Sequence, residues 1–218
     1  MKGYNLILIS LVSVLIMSCG GSDDTGSGGE QNPLRNVGNP YQVADCENLW
    51  QEQVFSRREG MVTKYSVVDR VDRFGQQRVT REGTVQIRVR EAGPYQFRET
   101  VIKKQTFPGR YFDRRTRLVS RNQFVSTCQN NSQRGIPVSR DYMQAGQVTT
   151  QDNRMANTTA GDFESRYTAS RSTAGSIPTT YQEWRATSFG IMVKGIELKE
   201  TTGASRTYEL IEFTVPNE

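Results

Sequence analysis

From about Tyr41 onward the strongest regularity in the sequence is a period of two. In "TVQIRVR", Val85, Ile87 and Val89 fall on one side of an extended chain and Gln86, Arg88 and Arg90 on the other. "YQFRETVIK" repeats the alternation with Tyr95, Phe97 and Val101, and "EAGP" between the two runs is a turn at hairpin length. Further extended segments are predicted at Asp162–Ser170, Tyr181–Thr187, Ile191–Lys199 and Arg206–Val215, with "TTGAS" as the loop between the last two. Pro108-Gly109 marks another connection, where glycine suits the positive φ of a type II turn. Strands punctuated in this way form a largely antiparallel, mainly β domain, which we place at 41–218. The stretch from Gln129 to Asn157 is polar and reads as long loops with one short strand.

One segment of the domain breaks the alternation. "ADCENLWQEQVF" offers Asp45 as an N-cap and sets Cys46, Leu49, Trp50 and Gln53 on one helical face, so a short helix within Asp45–Val54 is expected. Read as a strand, the same residues would make a hairpin with "MVTKYSVV" across Arg58-Glu59-Gly60.

The first residues have a different character. After Lys2, an apolar run from Leu6 to Met17 covers about 12 residues, where spanning a bilayer takes about 20. A positive start, a short apolar stretch and a small residue before a processing point describe an export signal, residues 1–18. Ile16-Met17-Ser18-Cys19 resembles the lipobox of bacterial lipoproteins, in which the cysteine is acylated and becomes the first residue. The resemblance implies a lipid on Cys19, a membrane partner through that anchor, and a place in the bacterial cell envelope. In the family pattern Asp after the lipid cysteine retains a protein in the inner membrane; Gly20 stands there instead, which implies the outer membrane. Residues 19–40, rich in Gly, Ser and Asp at first and polar throughout, cannot form a core and read as a flexible tether. With Cys19 set aside, Cys46 and Cys128 remain. In an exported chain an even pair reads as a disulfide, with two free buried thiols as the alternative.

The span "AGDFESRYTASRSTAGSIPTTYQEWRATSFGIMVKGIEL" is similar to the C-terminal half of many secreted bacterial β proteins, through Ala160, Gly161, Phe163, Trp184, Gly190, Val193 and Lys194. Those proteins resemble the lipoprotein-carrier superfamily of LolA and LolB. The resemblance implies a curved antiparallel sheet, a half-barrel with an apolar interior; an unrelated sandwich or closed barrel is the alternative. It transfers no functional residue.

The sequence holds no histidine, so Ser-His-Asp and Cys-His mechanisms and histidine-ligated zinc are excluded. Phosphate-binding and dinucleotide-binding glycine motifs are missing as well, and no cofactor is implied. Asp69 with Asp72, and Asp162 with Glu164, read as surface charges, and "DRVD" lacks the ligand density of a calcium loop. The chain is therefore expected to be non-catalytic. Charge is its most pronounced feature: between Arg57 and Arg121 stand 17 basic and 7 acidic residues, 17 − 7 = +10. Arg88, Arg90, Arg98, Lys103, Lys104, Arg110, Arg114, Arg115, Arg117 and Arg121 are the candidate anion-binding residues. Interleaved with aromatics they look like a nucleic-acid surface, but export argues against that partner. Phosphate and carboxylate groups of envelope polymers, lipid or a protein partner are the alternatives, since arginine binds both groups bidentately. A plain solubilising role for the arginines is the competing explanation. Two functions stand side by side. One is an interaction module working through the basic surface; the other is a carrier holding lipid or an acyl chain, suggested by the unbroken apolar run Ile191-Met192-Val193 and by Leu210-Ile211.

Overall fold

A computed structural model describes residues 45–133, 138–140, 143–145, 147–173 and 177–216. The expected leader, Cys19, the tether and residues 41–44 lie outside these. In chain order the elements are α1 (Cys46–Phe55), β1 (Val62–Arg73), β2 (Gln76–Ala92), β3 (Gln96–Phe107), β4 (Tyr111–Ser120) and α2 (Arg121–Gln133). They are followed by β5 (Val138–Arg140), β6 (Met143–Ala145), β7 (Gln147–Thr158), β8 (Gly161–Ser172), β9 (Thr179–Ala186), β10 (Met192–Lys199) and β11 (Ser205–Thr214). Nine strands form one antiparallel sheet in the order β4-β3-β2-β1-β11-β10-β9-β8-β7, and β5 pairs with β6 alone. The mainly β expectation holds.

The alternation read from the sequence is the pleat of this sheet. Val85, Ile87 and Val89 are buried while Arg88 and Arg90 are exposed. On the same face lie Tyr65 of β1, Val101 of β3, and Tyr208 and Leu210 of β11. Ile191, Met192 and Val193 are all buried, because a register shift between Met192 and Lys194 turns consecutive residues inward. They belong to the main core cluster.

The α1 segment is a helix, as the cap pattern predicts. The Asp45 side chain accepts from the Asn48 N–H at 3.0 Å. Trp50 is wholly buried, stacks on Phe97 of β3 with ring centroids 5.7 Å apart, and donates its Nε1–H to the Pro94 carbonyl. From the other side of the same helix Glu52 meets Arg166 of β8 at 3.0 Å. β3 and β8 are six strand steps apart, about 29 Å in a flat sheet. A helix of 10 residues is about 15 Å long and about 10 Å across. It can touch both arms only if the sheet curls around it. The β7–β8 turn shows the same curl, since the Ala160 N–H reaches the Leu210 carbonyl at 3.2 Å although three steps separate β8 from β11. Gly190 completes the fit: its φ is +64° and a Cβ there would meet the Phe55 ring of α1 at 2.5 Å. Among the described residues no pairing joins β4 to β7, so the sheet stays open.

Cys46 and Cys128 are joined, as expected, tying α1 to α2 and forming with Leu49, Phe124 and Val125 a small apolar cluster apart from the main core. Three expectations need correction. Gln129–Asn157 is not mainly loop: α2 runs on to Gln133, and β7 is a strand of 12 residues. Pairing along the whole of β8 compensates for the polarity of β7. At Pro108-Gly109 the chain turns through a cis Phe107–Pro108 peptide and Gly109 has no positive φ, so the type II assignment fails. Asp69 is not a free surface charge: its side chain is 15% exposed and Arg206 holds it with two bonds.

Candidate functional site

The strand register decides what the ten basic candidates can do together. Opposite residues on paired strands share a face. The pairings Thr84–Lys104–Phe112, Gln86–Ile102–Arg114 and Arg88–Thr100–Thr116 run across β2, β3 and β4 on the face away from α1. Arg88, Arg98, Lys104 and Arg114 therefore lie on one side. Lys103, Arg115 and Arg117 pair with or follow Val85, Val101 and Glu99, and belong to the α1 face. Arg110 sits in the β3–β4 turn, Arg90 at a register shift in β2, and Arg121 at the start of α2. A reading along the chain counts them as one surface; the pleat divides them.

Four of the ten already hold acids. Arg98 pairs with Glu91 at 3.3 Å, Arg115 with Asp113 at 3.0 Å, and Arg121 with Glu47 through bonds of 2.8 and 3.0 Å. Arg117 donates to Glu99 at 2.7 Å, and Glu99, wholly buried, also takes the Arg57 Nε–H at 2.8 Å. Arg88, Arg90, Lys103, Lys104, Arg110 and Arg114 have no acidic partner among the described residues. Around the free cations of the β3–β4 arm stand exposed aromatic side chains: Phe107, Tyr111 and Phe112. β4 is also an edge strand of the sheet, where charged side chains discourage pairing with a further strand.

The α1 face differs at its two ends. Toward the start of β1 it is closed by α1 and carries two buried ion pairs, Arg57 with Glu99 and Glu183 with Arg185 at 2.6 Å, and a partly buried one, Glu52 with Arg166. At the far end of β1 it opens into a cleft of about 560 Å³, lined by residues including Asp69, Arg81, Tyr181, Glu197, Lys199 and Arg206. Five paired strands contribute one rung to it, Tyr181–Glu197–Arg206–Asp69–Arg81, each residue opposite the next on β9, β10, β11, β1 and β2.

Within this rung Arg206 turns to Asp69, with bonds of 2.7 and 2.9 Å, and this raises the guanidinium pKa further above its ordinary value. Arg81 approaches the same carboxylate at 3.5 Å. Glu197, the other neighbour of Arg206, has no hydrogen bond or ion pair among the described residues. Burial raises its carboxyl pKa against a pull from Arg206, with a smaller push from Asp69 and a smaller pull from Lys199. Tyr208, one rung below, is pushed up to about 12, by burial first and by the Glu197 charge second. Glu197 does not stand out in the sequence, and Asp69 reads there only as a surface charge. Their signal lies in cross-strand register.

No sequence-family model matches the chain. No characterised protein matches it by sequence. Several solved structures resemble the chain at low identity and low TM-score. A protein from Bacteroides fragilis assigned as exported, with a YmcC-like fold, is 12% identical with a TM-score of 0.43, over 73% of this chain and 97% of that one. MucB in complex with MucA(peri) is 12% identical with a TM-score of 0.40, over 78% of this chain and 56% of that one. A domain from Vibrio parahaemolyticus assigned to outer membrane lipoprotein sorting is 7% identical with a TM-score of 0.27, over 79% and 93%.

Proposed function

We propose that this chain is a lipid-anchored protein of the bacterial cell envelope, held at the outer membrane through Cys19, and that it acts as a non-catalytic interaction module. Its working surface is the β2–β4 arm, where Arg88, Lys104 and Arg114 share a solvent face with Phe112, and Arg110 stands in the adjoining β3–β4 turn flanked by Phe107 and Tyr111. The partner is an anionic envelope component bearing phosphate or carboxylate, which unpaired guanidinium groups bind bidentately.

The observation that carries this reading is the set of basic side chains left without acids beside exposed aromatics, while neighbouring Arg98, Arg115, Arg117 and Arg121 are all paired. The carrier reading has less support. Its ligand needs an apolar hollow on the inner face of the sheet, and that face holds the buried Trp50 and three buried or partly buried ion pairs at one end and a polar cleft at the other. The test is co-sedimentation of the protein with vesicles containing phosphatidylglycerol, for wild type and for Arg88→Gln/Lys104→Gln/Arg114→Gln. A marked loss of binding in the variant supports the proposal. Equal binding by both reduces these cations to solubilising surface.

A further inference from the structure

The cleft at the open end of the α1 face lies apart from the β3–β4 arm, and only some of its charges are held by hydrogen bonds. Arg206 and Asp69 satisfy each other. That leaves Glu197 half-buried on the cleft wall with no hydrogen-bonding partner among the described residues, next to the ring of Tyr181, which is opposite it in register. It also leaves Arg81, whose carboxylate at 3.5 Å is already occupied, and Lys199, whose charge acts on Glu197 but which makes no ion pair with it among the described residues. An acid and two bases, none hydrogen-bonded to a counter-ion among the described residues, line one opening of about 560 Å³, a size that fits a small molecule.

We propose that this cleft binds a small zwitterion, whose primary ammonium meets the Glu197 carboxylate and whose anionic end reaches Arg81 and Lys199. Each contact supplies what the empty cleft lacks. The ammonium donates to a carboxylate that has no hydrogen-bonded partner among the described residues. The anion completes the coordination of Arg81 that Asp69 meets only in part. The raised carboxyl pKa of Glu197 fits the same picture, since an ammonium would replace the solvation that burial removes. Lipid headgroups of the phosphoethanolamine type and free or peptide-terminal amino acids share this chemistry.

The experiment uses the full chain in a non-ionic detergent and two probes, phosphoethanolamine and D-alanine, titrated by calorimetry. At least one should bind, and Glu197→Gln should weaken it about tenfold or more, because a charge-assisted bond to a partly buried group is lost. Arg81→Ala should weaken it several-fold. Binding of phosphoethanolamine alone identifies a headgroup as the source, and binding of D-alanine alone an amino acid. In the wild-type protein, carbon NMR of the Glu197 carboxyl should show its titration midpoint fall when the bound probe saturates, a readout that does not depend on any variant folding. Absence of binding by both probes up to about 20 mM, the weak end of specific recognition, overturns the proposal. Binding that Glu197→Gln leaves unchanged, or a Glu197 midpoint that does not move, overturns it equally.

Discussion

Removing Arg57 should destabilise the protein more than removing any of its exposed arginines. The Arg57 and Glu99 side chains are 3% and 0% exposed, with the guanidinium Nε 2.8 Å from the carboxylate. Two unit charges about 4 Å apart at an effective dielectric of about 20 attract by about 4 kcal/mol. Truncating one member of a buried pair typically costs about 3–5 kcal/mol, because the other stays desolvated and unpaired. Here Arg117 still reaches Glu99 at 2.7 Å from the half-exposed side, so the lower end applies, about 3 kcal/mol for Arg57→Met. Methionine keeps most of the apolar length that packs beside the Phe97 ring, which limits the cavity contribution. For a domain of this size such a loss lowers the melting temperature by about 6–12 °C. Urea denaturation of Arg57→Met, Glu99→Gln and the double variant measures it and separates the pair energy from the rest. The double variant should lose clearly less than the sum of the singles. A loss below about 1 kcal/mol in Arg57→Met, or strict additivity, would refute the reasoning.

Three further outcomes follow from the same contacts. Replacing Cys46 and Cys128 by alanine opens a link across a sequence separation of 82 residues, and chain entropy sets the loss at about 4 kcal/mol, read as a lower urea midpoint that added reductant no longer changes. The carboxyl of Glu200 is lowered to about 2 by bonds from Arg171 and Thr180. A depressed carboxylate contributes stability above its unfolded value and loses it as pH falls toward 2; its NMR midpoint should return toward 4.5 in Arg171→Gln. Cys19→Ser should abolish palmitate labelling and release the protein from the membrane fraction, unless the leader itself stays in place, which the mobility of the product on a gel reveals.

The strands with one apolar and one polar side were legible in the sequence because burial imposes a period of two on them, as in Val85, Ile87 and Val89. α1 was legible through its cap. β7 was not. Its pattern, "QVTTQDNRMANT", carries few apolar residues, and its place comes from pairing with β8 and from Arg154 lying 3.7 Å over the Tyr167 ring. α2 was hidden for a similar reason: its buried contacts come down to Phe124, Val125 and the disulfide. At the site, sequence showed the excess of arginine but not its division. Arg114, Arg115 and Arg117 are neighbours in the chain, yet the pleat sends Arg114 to one face and the other two to the opposite face, where both are paired. Substituting all three together would therefore disturb Glu99 as well as the surface. The rung Tyr181–Glu197–Arg206–Asp69–Arg81 draws single residues from five strands, and no local pattern announces such a set.

The most direct test of the interaction-module account is the salt dependence of binding to phosphatidylglycerol vesicles by the chain lacking residues 1–19. Exposed charges act over about 8 Å at physiological ionic strength and about 3 Å at 1 M salt. If Arg88, Lys104, Arg110 and Arg114 carry the contact, the bound fraction falls steeply as salt rises, and Arg88→Gln/Lys104→Gln/Arg114→Gln binds weakly even at low salt with its melting temperature unchanged. Binding that persists at high salt and ignores the triple substitution would mean apolar capture, and would contradict the account.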